Sequence, residues 1–317
     1  MDIVILIVGL ALVLFGANIL TTGSAGLAQR FRVSEFVIGL TVVAIGTSTP
    51  ELVVSLFSAA RGQSDLAIGN VVGSNLFNTF VILGVTSLIR PVSLTGSNMS
   101  KDIPFGVLAS VVLLVAASDI PLHDAPVDAV TRNEGLLMLC FFGVFMAYTV
   151  FSAKSAPAVV SEDTHRQQKL WFSLLLVVGG LAALVGGGEL FLDSATRLAR
   201  RWGLSESVIA VTLVAGGTSL PELAASVAAA IRGKTGLALG NVVGSNVTNI
   251  FLVLGASATV SPLTLGGIRL EDMLMLLAAS LLLFITAFTF KRKEVDRTEG
   301  IVFLLLYGAY IWWLLTR

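Results

Sequence analysis

The sequence predicts an all-α integral membrane protein of ten transmembrane helices, arranged as two inverted five-helix repeats. Three observations lead there. Of 317 residues, 55% are hydrophobic and only 13% charged, where a soluble domain carries about a quarter charged residues. Apolar runs such as Ile3–Leu20, Leu170–Val185 and Met273–Phe288 hold almost no charge over most of a bilayer crossing. Shifted by 171 positions, the chain also overlies itself: Glu35–Gly84 matches Glu206–Gly255 without a gap, with 29 of 50 pairs identical.

Each element follows from those patterns. In lipid, a backbone group without a partner costs several kcal/mol, so spans of this composition must be helices. The predicted spans are 2–28, 35–60, 65–88, 103–118, 134–152, 169–199, 206–231, 236–260, 271–289 and 298–316. The first is read as a retained helix, because its apolar run lacks a basic start and reaches full crossing length. Five spans per half make the second copy enter the membrane from the opposite side. The halves are residues 1–153 and 169–317, joined by a polar cytoplasmic linker, 154–168. With the N-terminus outside, the cytoplasmic connections hold Arg30, Arg32, Arg90, Lys101, Lys154, Arg166, Lys169, Arg232, Lys234, Lys291, Arg292, Lys293 and Arg297, 13 of 20 basic residues. Both termini are therefore expected on the extracytoplasmic side of the cell (inner) membrane. Trp312 and Trp313 read as an interfacial aromatic pair, and Cys140 as a small packing residue. A formal net charge of zero gives no footprint for nucleic acid. Nothing points to an obligatory protein partner, so membrane lipid is the expected surrounding.

The polar residues inside the spans carry the chemistry. Glu51 is the one acidic residue between Glu35 and Asp65, and Glu222 stands in the same relation in the second copy. A carboxylate at mid-membrane costs about 2.5–3.5 kcal/mol even on the lenient insertion scale, which makes a functional role the default reading. Thr47 and Ser48 precede Glu51 by four and three residues, and Thr218 and Ser219 precede Glu222 likewise. Their hydroxyls are therefore expected to share the carboxylate's face. Pro50 and Pro221 lack an N–H and clash with the carbonyl four residues back, so they predict a break that frees backbone oxygens. The second motif, GNVVGSN, occurs unchanged at 69–75 and 240–246. Its glycines are four apart, the small-residue spacing of closely packed helices. Ser74 with Asn78, and Ser245 with Asn249, lie four apart on one face. Asn70, Asn75, Asn241 and Asn246 are read as capping broken helix ends or bridging helices. Together these groups make a site of hard oxygen donors without Cys or His, suited to Ca2+ and Na+ rather than zinc or copper. Two negative charges match one Ca2+ or two monovalent ions, which is what an antiporter site requires. Glu189 and Asp193 have Asn18 and Thr22 as repeat counterparts and read as residues near the outer end or an access path. An enzyme is not expected: GxGD, GxSG and HExxH patterns are absent, and no predicted span contains His. A passive channel fits two inverted halves poorly.

The paired GTS-P-E and GN-GSN motifs resemble those of the Na+/Ca2+ exchanger group of the cation/Ca2+ antiporter superfamily, its small prokaryotic members in particular. The resemblance covers essentially the whole chain. It implies Glu51 and Glu222 as central Ca2+ ligands, ringed by Thr47, Ser48, Ser74, Asn78, Thr218, Ser219, Ser245 and Asn249. It further implies that carbonyls of Ala44 and Ala215 contribute, and that the first and sixth helices slide across the site. No cofactor is implied; Ca2+ and Na+ are the transported ions. Some relatives, K+-dependent ones among them, carry Asp where this chain has Asn249, which makes K+ co-transport less expected here. Na+ is favoured over H+ by likeness of the hydroxyl-rich flanks, with Ca2+/H+ exchange the nearest alternative.

Overall fold

The computed structural model describes residues 2–94, 101–118, 127–155, 169–201, 215–289 and 294–316. Its helices are α1 (Asp2–Phe31), α2 (Glu35–Thr47), α3 (Thr49–Ala60), α4 (Ser64–Ile89), α5 (Ile103–Ala116), α6 (Arg132–Ser155), α7 (Leu170–Arg201), α8 (Leu220–Ile231), α9 (Thr235–Val260), α10 (Leu270–Thr289) and α11 (Arg297–Thr316), with a helical turn at Ala215–Gly217. Six of them (α1, α4, α6, α7, α9 and α11) are long and apolar enough to cross a membrane, and the bent pair α2 and α3 would make a seventh. The expected linker lies almost wholly outside the described residues, as does the first part of the span predicted at 206–231; α6 itself runs on through Ser155.

The sequence explains where these helices bend and stop. Pro50 and Pro221 sit in the first turn of α3 and α8, the helix position that tolerates a missing N–H. Between α2 and α3 the axis turns by 44°, with Ser48 at φ −80°, ψ 9° forming the break. Both α3 and α8 end on an Arg-Gly pair. Gly62 and Gly233 take φ of +71° and +75°, the left-handed cap that glycine adopts without strain. Three π-helical stretches, Gly39–Val43, Phe77–Ile82 and Thr248–Leu254, lie within α2, α4 and α9. Nothing in the sequence announced them, and π-bulges frequently mark functional segments.

Two antiparallel two-residue ladders tie the halves together. β1 (Val92–Ser93) pairs with β4 (Glu294–Val295), and β2 (Ala129–Val130) pairs with β3 (Leu263–Thr264). The larger core forms around α4 and α9, walled by α5, α6, α10 and α11. A second cluster joins α1, α7, α8 and α2. The outward faces of α1 and α7 stay apolar, with Ile3, Leu14, Phe15, Trp171 and Val178 exposed, as a lipid-facing surface requires. Trp312 and Trp313 are exposed at the end of α11.

The helices α1 and α7 run antiparallel in backbone contact. A Cβ on Gly9 would lie 2.7 Å from Phe191 N, on Gly16 2.8 Å from Gly180 O, and on Gly23 2.9 Å from Ser173 O. Seven-residue spacing keeps these small residues on one face, so the two helices close along most of their length. At one end Asp2 accepts from Arg197 at 3.2 Å and meets Arg201 at 2.6 Å. The pair is thereby joined as one body.

Candidate ion-binding site

The two halves meet at Glu51 and Glu222, which are 0% and 1% exposed. Each lies in the first turn of its helix, immediately after the proline. Neither carboxylate is held by its own helix alone. Ser219 Oγ donates to Glu51 Oε1 at 3.2 Å, and Ser48 Oγ donates to Glu222 Oε1 at 3.1 Å. This corrects the expectation that Ser48 serves Glu51. The break at Ser48 ends the helical register on which same-face spacing depends, and the hydroxyl turns to the other half. Ser74 Oγ lies 3.5 Å from Glu51 Oε1, at the limit of a hydrogen bond.

The asparagines build the frame around the carboxylates. Asn70 Nδ2 donates to Glu51 O (3.2 Å) and Ser55 Oγ (3.0 Å), while Asn241 Nδ2 donates to Glu222 O (3.2 Å) and Ser226 Oγ (3.0 Å). Their carbonyl oxygens face the opposite half: Thr47 Oγ1 donates to Asn241 Oδ1 at 3.2 Å, and Thr218 Oγ1 to Asn70 Oδ1 at 3.4 Å. Every bond in this set has a partner obtained by exchanging position i for i + 171. Deeper in, Asn249 Nδ2 donates to Asn75 Oδ1 (3.0 Å), Asn75 Nδ2 to Asn246 O (3.2 Å), and Asn246 Nδ2 to Thr79 Oγ1 (2.8 Å). The bridging role read from the sequence for these asparagines therefore describes Asn70, Asn75, Asn241 and Asn246 as they stand.

Several buried oxygens at the centre carry no hydrogen bond: Glu51 Oε2, Glu222 Oε2, Asn78 Oδ1, Asn249 Oδ1 and Ser245 Oγ. Burying such atoms unpaired is costly, and a hard cation is the partner their chemistry fits. The Ala44 carbonyl is less free than expected. It accepts from Ser48 N at 3.0 Å, and Thr47 Oγ1, whose single proton can go either here or to Asn241 Oδ1, lies 3.4 Å away, so ligation there leaves the Thr47 proton with Asn241. The Ala215 backbone lies in the helical turn before Ser219. Among the described residues, no three His, Cys, Asp or Glu side chains gather as a metal group. The site is two carboxylates in a shell of hydroxyl and amide oxygens.

A family model described as sodium/calcium exchanger protein matches residues 1–151 and 172–316. The chain belongs to the sodium/calcium exchanger family. Among its relatives, membrane protein MJ0091 of Methanocaldococcus jannaschii is 35% identical over 302 residues, 95% of this chain and 94% of that one. The sodium/calcium exchanger MaX1 of Methanosarcina acetivorans is 33% identical over 347 residues, covering 98% and 97%. The solved structure of the sodium-calcium exchanger NCX_Mj soaked with 10 mM Na+ and 10 mM Sr2+ matches with a TM-score of 0.85 at 34% identity, over 98% of this chain and 97% of that one.

In this exchanger-family chain, sequence reasoning passed over Ser55, Ser226 and Thr79, which hold the framing asparagines. The signal for the first two was present, since Ser55 and Ser226 are an identical pair in the repeat. Asn241, like Asn70, makes three bonds in the frame. Asn241→Ala removes the side-chain donor from Glu222 O and Ser226 Oγ, while Thr47 Oγ1 keeps the Ala44 carbonyl as its acceptor. Each orphaned buried group costs about 1–3 kcal/mol. The variant is expected to unfold at a lower temperature and to take up Ca2+ more than about tenfold more slowly, whereas Ser226→Ala, losing one bond, should cost less. Thermal unfolding in detergent and vesicle uptake measure both.

Proposed function

We propose that the protein exchanges Na+ for Ca2+ by alternating access, using Glu51 and Glu222 as the central ligands of one shared site. The supporting observation is the reciprocal pair Ser48–Glu222 and Ser219–Glu51, which leaves a second, unbonded oxygen on each buried carboxylate. Thr47, Thr218, Ser74, Asn78, Ser245, Asn249 and the carbonyls of Ala44 and Ala215 complete the oxygen set. In this reading ten spans form two inverted halves, 1–153 and 169–317, with 154–168 between them on the cytoplasmic side and both termini outside the cell membrane.

Charge balance supplies the coupling. One Ca2+ or two Na+ neutralises the pair of carboxylates, and a neutral site passes the apolar barrier at far lower cost than a charged one. The empty site keeps its charge, so uncoupled movement is disfavoured. The name of MaX1 supports Na+ as the counter-ion.

Purified protein in liposomes decides it. An outward Na+ gradient should drive Ca2+ uptake, and neither a K+ nor a pH gradient should substitute. Uptake indifferent to Na+ overturns the coupling; uptake driven by pH alone makes the protein a Ca2+/H+ exchanger instead.

A further inference from the structure

Arg61 and Arg232 occupy equivalent places, each closing its helix ahead of the left-handed glycine, yet their surroundings differ. Arg232 donates from Nη1 to Thr22 Oγ1 and from Nη2 to Asn18 Oδ1, both on α1. The counterparts of Asn18 and Thr22 on α7 are Glu189 and Asp193, one helical turn apart and both exposed. Arg61 is exposed too, and among the described residues no hydrogen bond or ion pair joins it to either carboxylate. Packing repeats the asymmetry: α1 lies along α8, whereas α7 makes no comparable contact along α3. Of two sequence-equivalent interactions, this conformation makes one.

We propose that these are alternating latches: Arg232 with Asn18 and Thr22 in this access state, Arg61 with Glu189 and Asp193 in the opposite one. The inference rests on the alternating-access reading above. Because α1 and α7 are joined by the glycine contacts and by Asp2 with Arg197 and Arg201, they shift as one body against α3 and α8. A shift that lifts α1 from α8 is the shift that brings α7 toward α3. The acceptors also differ in kind. Arg232 meets two neutral oxygens, while Arg61 would meet two carboxylates, and charge-assisted bonds are the stronger. The second latch thus favours its own state, and exchanging its acceptors for neutral ones would change the balance between the two. Glu189 and Asp193, which have no counterpart charge in α1, acquire a use.

Two experiments test it in proteoliposomes, on a Cys140→Ser background. Arg61→Cys with Asp193→Cys, and separately Arg232→Cys with Asn18→Cys, are treated with a short bifunctional methanethiosulfonate under Na+, Ca2+ and ion-free conditions. Both pairs should bridge, read on gels, and each bridge should stop Ca2+ flux until reductant restores it. If the first pair never bridges while the untreated protein transports, the second latch does not exist. In the other experiment, Arg61→Glu should slow exchange by about threefold to tenfold. Adding Glu189→Arg and Asp193→Arg should recover it, and failure to recover would place Arg61 in a merely structural role. A wild-type protein that moves no Ca2+ under an Na+ gradient instead fails the exchange reading, which the bridging gels do not depend on.

Discussion

Glu51→Gln and Glu222→Gln should each lower Na+-driven Ca2+ uptake by at least about a hundredfold. Glutamine keeps the size of the side chain and an acceptor oxygen for Ser219 or Ser48, so the hydrogen bonds at 3.2 and 3.1 Å survive. What is lost is one negative charge. A Ca2+ in the altered site leaves net positive charge in a place where the two carboxylates are 0% and 1% exposed. An uncompensated buried charge costs about 3–5 kcal/mol, which at about 1.4 kcal/mol per tenfold gives the expected loss. Stability should move the other way. The ion-free wild type carries two buried carboxylates close enough to share a site, and removing one charge relieves that burden. In ion-free detergent, both variants should therefore unfold at a higher temperature than wild type, while stabilisation by added Ca2+ should disappear. Radioactive Ca2+ uptake and thermal unfolding check the two halves of the argument independently. Uptake within tenfold of wild type in either variant contradicts a paired site.

Why those two residues stood out in the sequence, and others did not, has a physical reason. Polar groups in apolar spans are few because each is costly, so Glu51, Glu222 and the asparagines announce themselves, and the 171-residue repeat removes coincidence. What same-helix spacing misses is any bond that crosses between halves. Ser48 lies three residues before Glu51, yet it donates to Glu222, because its own backbone is the break. The π-helical stretches were hidden for a related reason. One extra residue per turn is paid for by packing around Gly39–Val43 and Thr248–Leu254, and no local preference of Gly, Val or Leu records it. The short ladders at Val92 and Ala129 were equally silent, since two residues are too few for an alternating pattern. The glycines of GNVVGSN, in contrast, were read as packing residues; the distances at Gly240 and Gly244 give that reading a number in the second copy, while in the first Gly69 meets only the Ile268 side chain at 3.3 Å and Gly73 nothing within 4 Å.

Gly240→Ala should cost about 3 kcal/mol of stability and most of the transport with it. A Cβ at this position would fall 2.2 Å from Phe36 O and 2.8 Å from Leu40 N, backbone atoms that no rotamer change can move aside. The contact is mutual, for a Cβ on Gly39 would lie 2.4 Å from Leu237 O. To reach ordinary van der Waals distance, α2 and α9 must separate by about an ångström. Neither has room to do so, because α9 is buried over nearly its whole length and α2 is fixed at its far end by the break into α3. The displacement also reaches the site directly. Asn241 is the next residue along: its bond to Thr47 at 3.2 Å spans the same gap, and its bond to Glu222 O at 3.2 Å carries the displacement on to α8. The matched control is Gly308→Ala in α11, where an added Cβ meets nothing within 4 Å. That change should stay within about 0.5 kcal/mol and transport normally. Unfolding midpoints and Ca2+ uptake for the two variants side by side separate backbone contact at Gly240 from a general intolerance of glycine replacement. If Gly240→Ala behaves like Gly308→Ala, the helices do not meet backbone to backbone, and the frame around Glu222 is not set by that contact.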